Sequence, residues 1–265
     1  MPLTRLAPIL AAALVLALMP CAARAAQPPR GAWVLTVHGG GWHEVGPGPT
    51  ARMDADVARL HRWGYGTVNV DYRAGPLAFG DVLRAYDRLR SRVGRRTPIC
   101  AMGASAGGQL VLMLAVHRPE VACVITHAAP TLLSSLGPKL QSEARWAFGA
   151  HGLARWSPAL YALRTPLLIE QAAHDRLVPF DNSLRMHAAD PRSRVIRLSP
   201  GSVPWTHASV DAREVAVARE SERRFLARWT ERRRPGNVLA PPRSTTATGT
   251  SSRTRSTTSS STIRT

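Results

Sequence analysis

The 265-residue chain predicts an α/β fold, a mostly parallel sheet of about six strands covered by helices on both faces. Two observations carry that reading. Short apolar runs alternate with segments of helical spacing from residue 33 to residue 229, the order expected of strands joined by crossover helices. In the middle of this alternation, Thr97-Pro98-Ile99-Cys100-Ala101-Met102 leads through Gly103-Ala104-Ser105-Ala106-Gly107 into the apolar run Gln109–Val116. A strand that turns into a helix around one serine belongs to a parallel sheet with its strand ends open to solvent.

In chain order, the first segment stands outside the fold. Arg5 precedes an apolar run from Leu6 to Met19, then Pro20 and Ala23-Arg24-Ala25, the pattern of a secretory signal peptide over residues 1–25. The apolar run is shorter than the ~20 residues of a spanning helix, so no transmembrane anchor is expected. Residues 26–231 form the predicted domain. Trp33–His38 is an apolar strand ending at Gly39-Gly40-Gly41-Trp42, where backbone must approach something closely. Thr50–Trp63 has helical spacing through Met53, Val57 and Leu60, with Thr50 as its N-cap. Thr67–Tyr72 is the next strand, and Phe79–Val93 a helix through Val82, Leu83, Tyr86 and Leu89. The strand before Ser105 and the helix after it follow, then a strand at Val121–Thr126. A short helix at Gln141–Phe148, a strand at Pro166–Gln171, a helix at Asn182–Ala188 and a strand at Arg194–Leu198 complete the alternation. A charged helix from His207 to Trp229 closes the domain.

Residues 232–265 are Arg, Ser, Thr and Pro with seven arginines and no acid, a composition that cannot offset its ordering entropy and reads as a disordered tail. The two ends hold half of the formal net charge of +18. The rest is arginine excess, Lys139 being the one lysine. Weak electrostatic association of the basic tail with anionic surfaces is an open expectation, but no zinc-finger, RNP or basic-zipper pattern points to specific nucleic-acid binding. After signal cleavage Cys100 and Cys123 remain. A disulfide is open to them in an oxidising compartment, and two buried thiols are the favoured expectation. No cysteine or histidine spacing suggests zinc.

The chemistry concentrates on Ser105. Gly103 and Gly107 suit a turn too tight for a Cβ, and the following helix offers unpaired N–H groups and a partial positive charge. A serine hydroxyl attacks only when a positioned base takes its proton, and that base needs an acid to fix its tautomer. Asp175 follows the strand at 166–171, and His207 follows the strand at 194–198, both at the sheet end where Ser105 lies. Asp181 and His187 are the rivals, each within or beside a predicted helix.

With these marks the chain resembles the α/β-hydrolase superfamily, in particular its secreted esterase and lipase-like members. The resemblance spans most of residues 32–230. It rests on His38-Gly39-Gly40-Gly41-Trp42, Asp71-Tyr72-Arg73, Gly103-Ala104-Ser105-Ala106-Gly107-Gly108, His174-Asp175 with Val178-Pro179, and His207. It implies a three-layer sandwich. Ser105 would be the nucleophile, His207 the general base and Asp175 its orienting acid. Backbone N–H groups of Ala106 and of Gly40 or Gly41 would form the oxyanion hole, one such donor being worth ~3 kcal/mol in the transition state. No metal or cofactor is implied. His38 and Trp42 read as loop scaffolding, Asp71 and Arg73 as a structural ion pair or turn, and His43 as facing substrate or solvent. Trp146, Trp156 and Trp205 are candidates to line the pocket. Family members carry antiparallel strands ahead of the one at 33–38, so a trimmed sheet is expected here. The implied function is cleavage of small-molecule carboxylic esters with short acyl chains. A peptidase or amidase of the prolyl-oligopeptidase or formamidase type, and a non-catalytic binding protein, are the alternatives.

Overall fold

A computed structural model describes residues 28–43 and 53–231. The signal-peptide reading, the Thr50 cap and the basic tail lie outside the described residues.

Six parallel strands make one sheet in the order β2-β1-β3-β4-β5-β6. They are β1 (Trp33–Val37), β2 (Gly66–Val70), β3 (Ile99–Ala104), β4 (Val124–His127), β5 (Leu167–Ala172) and β6 (Arg194–Leu198). The helices are α1 (Asp54–Arg62), α2 (Ala78–Val93), α3 (Ala106–His117), α4 (Pro138–Phe148), α5 (Asp181–Ala189) and α6 (Ala212–Glu231).

The period-2 alternation of each strand sorts its side chains onto two layers. Leu35, Val37, Ile99, Ala101, Leu167 and Ile169 face a core built with α2, α3, α4 and α5. Val34, Cys100, Met102, Ile125 and Leu168 face the opposite layer, with Leu60 of α1 and Leu226 of α6. Helix α3 is buried along ten residues from Ala106 to Ala115, which is why its sequence is apolar all round instead of striped.

Two sequence expectations change. Cys100 and Cys123 are joined as a disulfide between β3 and the start of β4, not held as two thiols. Parallel pairing sets these strand segments side by side, the Ala101 N–H donating to the Cys123 carbonyl, and both side chains fall on the α1/α6 layer. The expected helix from His207 begins instead at Ala212. Asp211 accepts the N–H groups of Arg213 and Glu214 at 2.8 and 3.1 Å and so sets that start. The residues before it form an antiparallel hairpin, β7 (Pro200–Trp205) and β8 (Ala208–Val210), as a separate two-stranded sheet.

Candidate active site

Ser105 sits between the last residue of β3 and the first of α3 with φ +52° and ψ −125°, a backbone state that costs a non-glycine residue of order 1–3 kcal/mol. The surroundings impose it. A Cβ on Gly103 would strike the Gly107 carbonyl, and one on Gly107 would strike the carbonyls of Val37 and His38. The turn therefore packs against the end of β1 with no room for side chains, and the Ser105 hydroxyl is turned outward at the C-terminal edge of the sheet.

The two other candidates reach it from separate loops. Thr206 and His207 form the two-residue tip of the β7–β8 hairpin, where Trp205 pairs with Ala208 and His207 takes φ +64°. His207 Nε2 lies 2.8 Å from Ser105 Oγ, and its Nδ1 lies 3.0 Å from Asp175 Oδ2. Asp175 stands in the loop after β5, its side chain fully buried. Its other oxygen, Oδ1, accepts the N–H groups of Leu177 and Val178, each at 2.9 Å. Those two bonds fix the carboxylate, so Oδ2 points at the imidazole and holds the proton on Nδ1, leaving Nε2 to accept from the serine. The structure brings Ser105, His207 and Asp175 together. It takes the rivals elsewhere: Asp181 pairs with Arg185 on α5, and His187 bonds Ser193 at 2.9 Å.

The glycine loop after β1 forms the near wall. His38 stacks on Tyr72 with ring centroids 4.1 Å apart and donates from Nδ1 to the Gly39 carbonyl at 2.7 Å, which the Tyr72 hydroxyl also reaches at 2.9 Å. Burial raises the Tyr72 phenol well above its ordinary pKa, so it stays a donor. Trp42 is buried and donates to Gln109 of α3 at 3.0 Å, tying the loop to the helix that starts at the serine. Gly39 and Gly40 line the cleft with Ser105, whereas the Cα of Gly41 faces Glu143 of α4. Ala106 is the first residue of α3, where a helical N–H has no intrahelical partner. Asp71 lies 3.6 Å from His38, while Arg73 pairs with Asp81 at 3.0 Å. His43 stacks on Trp146 at 4.4 Å, and Trp156 packs on Phe148 and Phe79. Of the three tryptophans considered, Trp205 lines the cleft.

The cleft holds about 540 Å³ and extends from Ser105 and His207 past Met53, Ala55, Pro204 and Trp205. Its far wall was not foreseen from the sequence: Asp56 of α1, His127 at the end of β4 and Arg219 of α6. Behind this wall lies a buried charge cluster. Glu222 of α6, fully buried, accepts from His127 Nε2 at 2.8 Å, from Arg219 at 2.6 Å and from Arg59 of α1 at 2.9 Å. Burial alone would raise its pKa, but the His127 hydrogen bond and the Arg219 and Arg59 charges outweigh that and hold it below the ordinary carboxylate range. Glu170, at the centre of β5, is as deeply buried and lies 3.5 Å from His127. Burial, with the Glu222 charge beside it, raises its carboxyl well above the ordinary range, so it keeps its proton. The donor atoms of His127, Glu170 and Glu222 fall within 4.8 Å of one another, a spacing that could hold a metal ion, but two guanidiniums already supply the positive charge there. The one local sign of this cluster is Glu170 itself, an acid directly after the apolar run Leu167-Leu168-Ile169.

Comparison with known proteins follows the same lines. A family model described as the alpha/beta hydrolase fold matches residues 34–185. No curated protein matches the chain. Among solved structures, an esterase/lipase from an uncultured bacterium superposes with a TM-score of 0.60 at 20% identity, covering 79% of this chain and 80% of its own. A truncated carbohydrate esterase from gut microbiota gives 0.60 at 14% identity, over 76% and 86% of the two chains. A Mycobacterium tuberculosis puromycin-hydrolyzing peptidase gives 0.62 at 18% identity, over 77% of this chain but 34% of its own. Parallel sheet, strained serine turn and family match agree, and the chain belongs to the α/β-hydrolase family.

Proposed function

We propose that the protein is an exported serine hydrolase that cleaves carboxylic esters of small molecules through an acyl-enzyme. The observation that carries this reading is the unbroken contact from Asp175 Oδ2 through the His207 ring to Ser105 Oγ, at the mouth of a cleft. His207 Nε2 takes the serine proton as Oγ attacks the ester carbonyl. Asp175 stabilises the resulting imidazolium, and the N–H groups of Ala106 and of Gly40 or Gly41 are the donors for the developing oxyanion. The imidazolium returns its proton to the departing alkoxide. Water then repeats the sequence on the acyl-serine, restoring Ser105 and releasing the acid.

The cleft favours short acyl chains. Among the described residues its walls come from the glycine loop, α1, the end of β4, the hairpin and α6, and no residue of α4 lines it. Each methylene buried contributes about 0.8 kcal/mol, and methylenes that project into water contribute none. Activity on p-nitrophenyl esters should therefore peak at about C2 to C6 and decline beyond C8. Export through a signal peptide at residues 1–25 accords with the Cys100–Cys123 disulfide, since such bonds persist in oxidising compartments.

The test is covalent labelling of Ser105 by a fluorophosphonate probe, followed by matched aryl esters and aryl amides. Labelling with ester turnover is expected. Equal or faster turnover of the amide would turn the reading toward a peptidase or amidase, and no labelling would leave a binding protein on a hydrolase fold.

A further inference from the structure

His127 stands one strand from the nucleophile. It is the register partner of Ala104, and its carbonyl accepts the N–H of Ser105 at 2.8 Å. Adjacent strands lie about 4.8 Å apart, so the His127 backbone stands beside the serine turn. Its ring lines the cleft although the residue is only 3% exposed.

The two ring nitrogens differ. Nε2 is committed to Glu222 at 2.8 Å. Because Arg219 and Arg59 keep Glu222 ionised, this bond holds the single proton of the neutral ring on Nε2. Nδ1 bonds to no described residue, yet it is not among the buried side-chain atoms left without a partner, so it is open to the cleft. The pocket thus holds a lone pair of fixed direction in the cleft that Ser105 also lines. The wall around it is balanced in charge. Arg59 and Arg219 face Asp56 and Glu222, with Arg219 lying 3.5 Å from Asp56 and its guanidinium 4.3 Å over the Trp205 ring. A neutral wall of this kind suits a neutral hydrogen-bonding group better than an ion.

We propose that His127 is a specificity-determining residue that accepts a hydrogen bond from the substrate. The preferred substrates are then esters bearing a hydroxyl or amide N–H within a few atoms of the scissile carbonyl, and simple alkyl esters are poorer. An alkyl ester would leave Nδ1 facing a methylene in place of a hydrogen-bond donor, which is how a polar pocket discriminates against an analogue lacking the donor. This inference rests on the ester-hydrolase reading and sharpens its substrate class.

The experiment uses the full chain and two isosteric pairs. On the acyl side these are p-nitrophenyl 3-hydroxybutyrate and p-nitrophenyl 3-methylbutyrate; on the alcohol side, 2-hydroxyethyl butyrate and propyl butyrate. Wild-type kcat/KM should favour the hydroxyl member of at least one pair by about tenfold. In His127→Phe, which keeps a ring against Trp205, that ratio should collapse toward one. If His127→Phe does not fold, His127→Leu takes its place as a second apolar replacement, and the ratio is read there. Equal wild-type rates within both pairs, or a preference that survives the apolar replacement, would overturn the proposal. Failure to cleave any of the four esters, with no fluorophosphonate labelling, would instead overturn the hydrolase reading beneath it.

Discussion

Two histidine–carboxylate pairs face the same cleft, and they are built in opposite ways. His207 rides on the tip of a hairpin, its side chain 14% exposed, and its acid partner stands in a loop with one oxygen saturated by two backbone N–H groups. His127 ends a central strand, its partner Glu222 lies in the middle of a helix, and two guanidiniums and a second, protonated acid surround them. The chemistry of the pair is the same. What differs is whether the far ring nitrogen meets a hydroxyl, and whether the other groups on the carboxylate carry charge. At His207 one hydroxyl waits at 2.8 Å, and the other two groups on Asp175 are neutral backbone N–H donors. At His127 no described hydroxyl follows, while the other two groups on Glu222 are the guanidiniums of Arg59 and Arg219. Loss of the first pair should therefore be read in turnover, and loss of the second in stability.

The largest expected effect tests the first half of that contrast. Ser105→Ala and His207→Ala should each lower kcat by about 10³-fold or more, with the melting temperature nearly unchanged. Asp175→Asn should lower it by about 10²- to 10⁴-fold, whereas Asp181→Asn should leave it alone. Retention of a tenth of wild-type kcat in Ser105→Ala would end the nucleophile assignment, and crippled turnover in Asp181→Asn alone would move the acid.

The second half predicts a stability loss. Glu222→Ala strips the shared acceptor from Arg59, Arg219 and His127 and leaves Asp56 alone against two guanidiniums, and removing one partner of a buried ion pair costs about 3–5 kcal/mol. Urea unfolding should show that loss. A cost below about 1 kcal/mol would mean the cluster is solvated and the contrast is false.

The smallest effect is the most diagnostic, because it depends on pH. Glu170 has its pKa raised by burial and by Glu222, so the folded chain keeps a proton that the unfolded chain releases above the ordinary carboxyl range, about pH 4.3. Over that window the unfolded state binds fewer protons, and wild-type stability falls as pH rises. Glu170→Gln resembles the protonated acid and removes this dependence. Its melting temperature should match wild type near pH 4 and exceed it by a few degrees at pH 8. A variant less stable than wild type at pH 8 would show that Glu170 is ionised in the fold.

The features legible in the sequence are those whose cause is local. A strained turn needs small neighbours within two residues, so Ser105 announces itself through Gly103 and Gly107. Asp175 and His207 follow apolar strands closely enough for strand ends to locate them. The hairpin was hidden because Pro200, Gly201 and Pro204 argue against strand, and its Thr206-His207 tip has no glycine or asparagine to mark a two-residue turn. The cleft's far wall was hidden for a different reason. Asp56, His127, Arg219 and Glu222 come from three elements far apart in the chain, and each alone reads as an ordinary surface or core residue. The disulfide likewise required the strand order, which composition does not supply.

The separateness of the β7–β8 hairpin also bears on how such a protein can change over generations. It pairs with no described strand of the main sheet, and at its base the Asp211 N–H donates to the Ser199 carbonyl at 3.0 Å. The proposed general base therefore travels as a cassette of eleven residues, from Pro200 to Val210, spliced between the sheet and α6. Recombination at Ser199 and Asp211 could replace it without breaking any strand pairing of the six, provided the new tip refills the place of Val210 against Ala172, Leu198 and Ala218. A lineage could exchange the tip that presents the imidazole, or blunt it and keep only the binding cleft, while inheriting the same folded body.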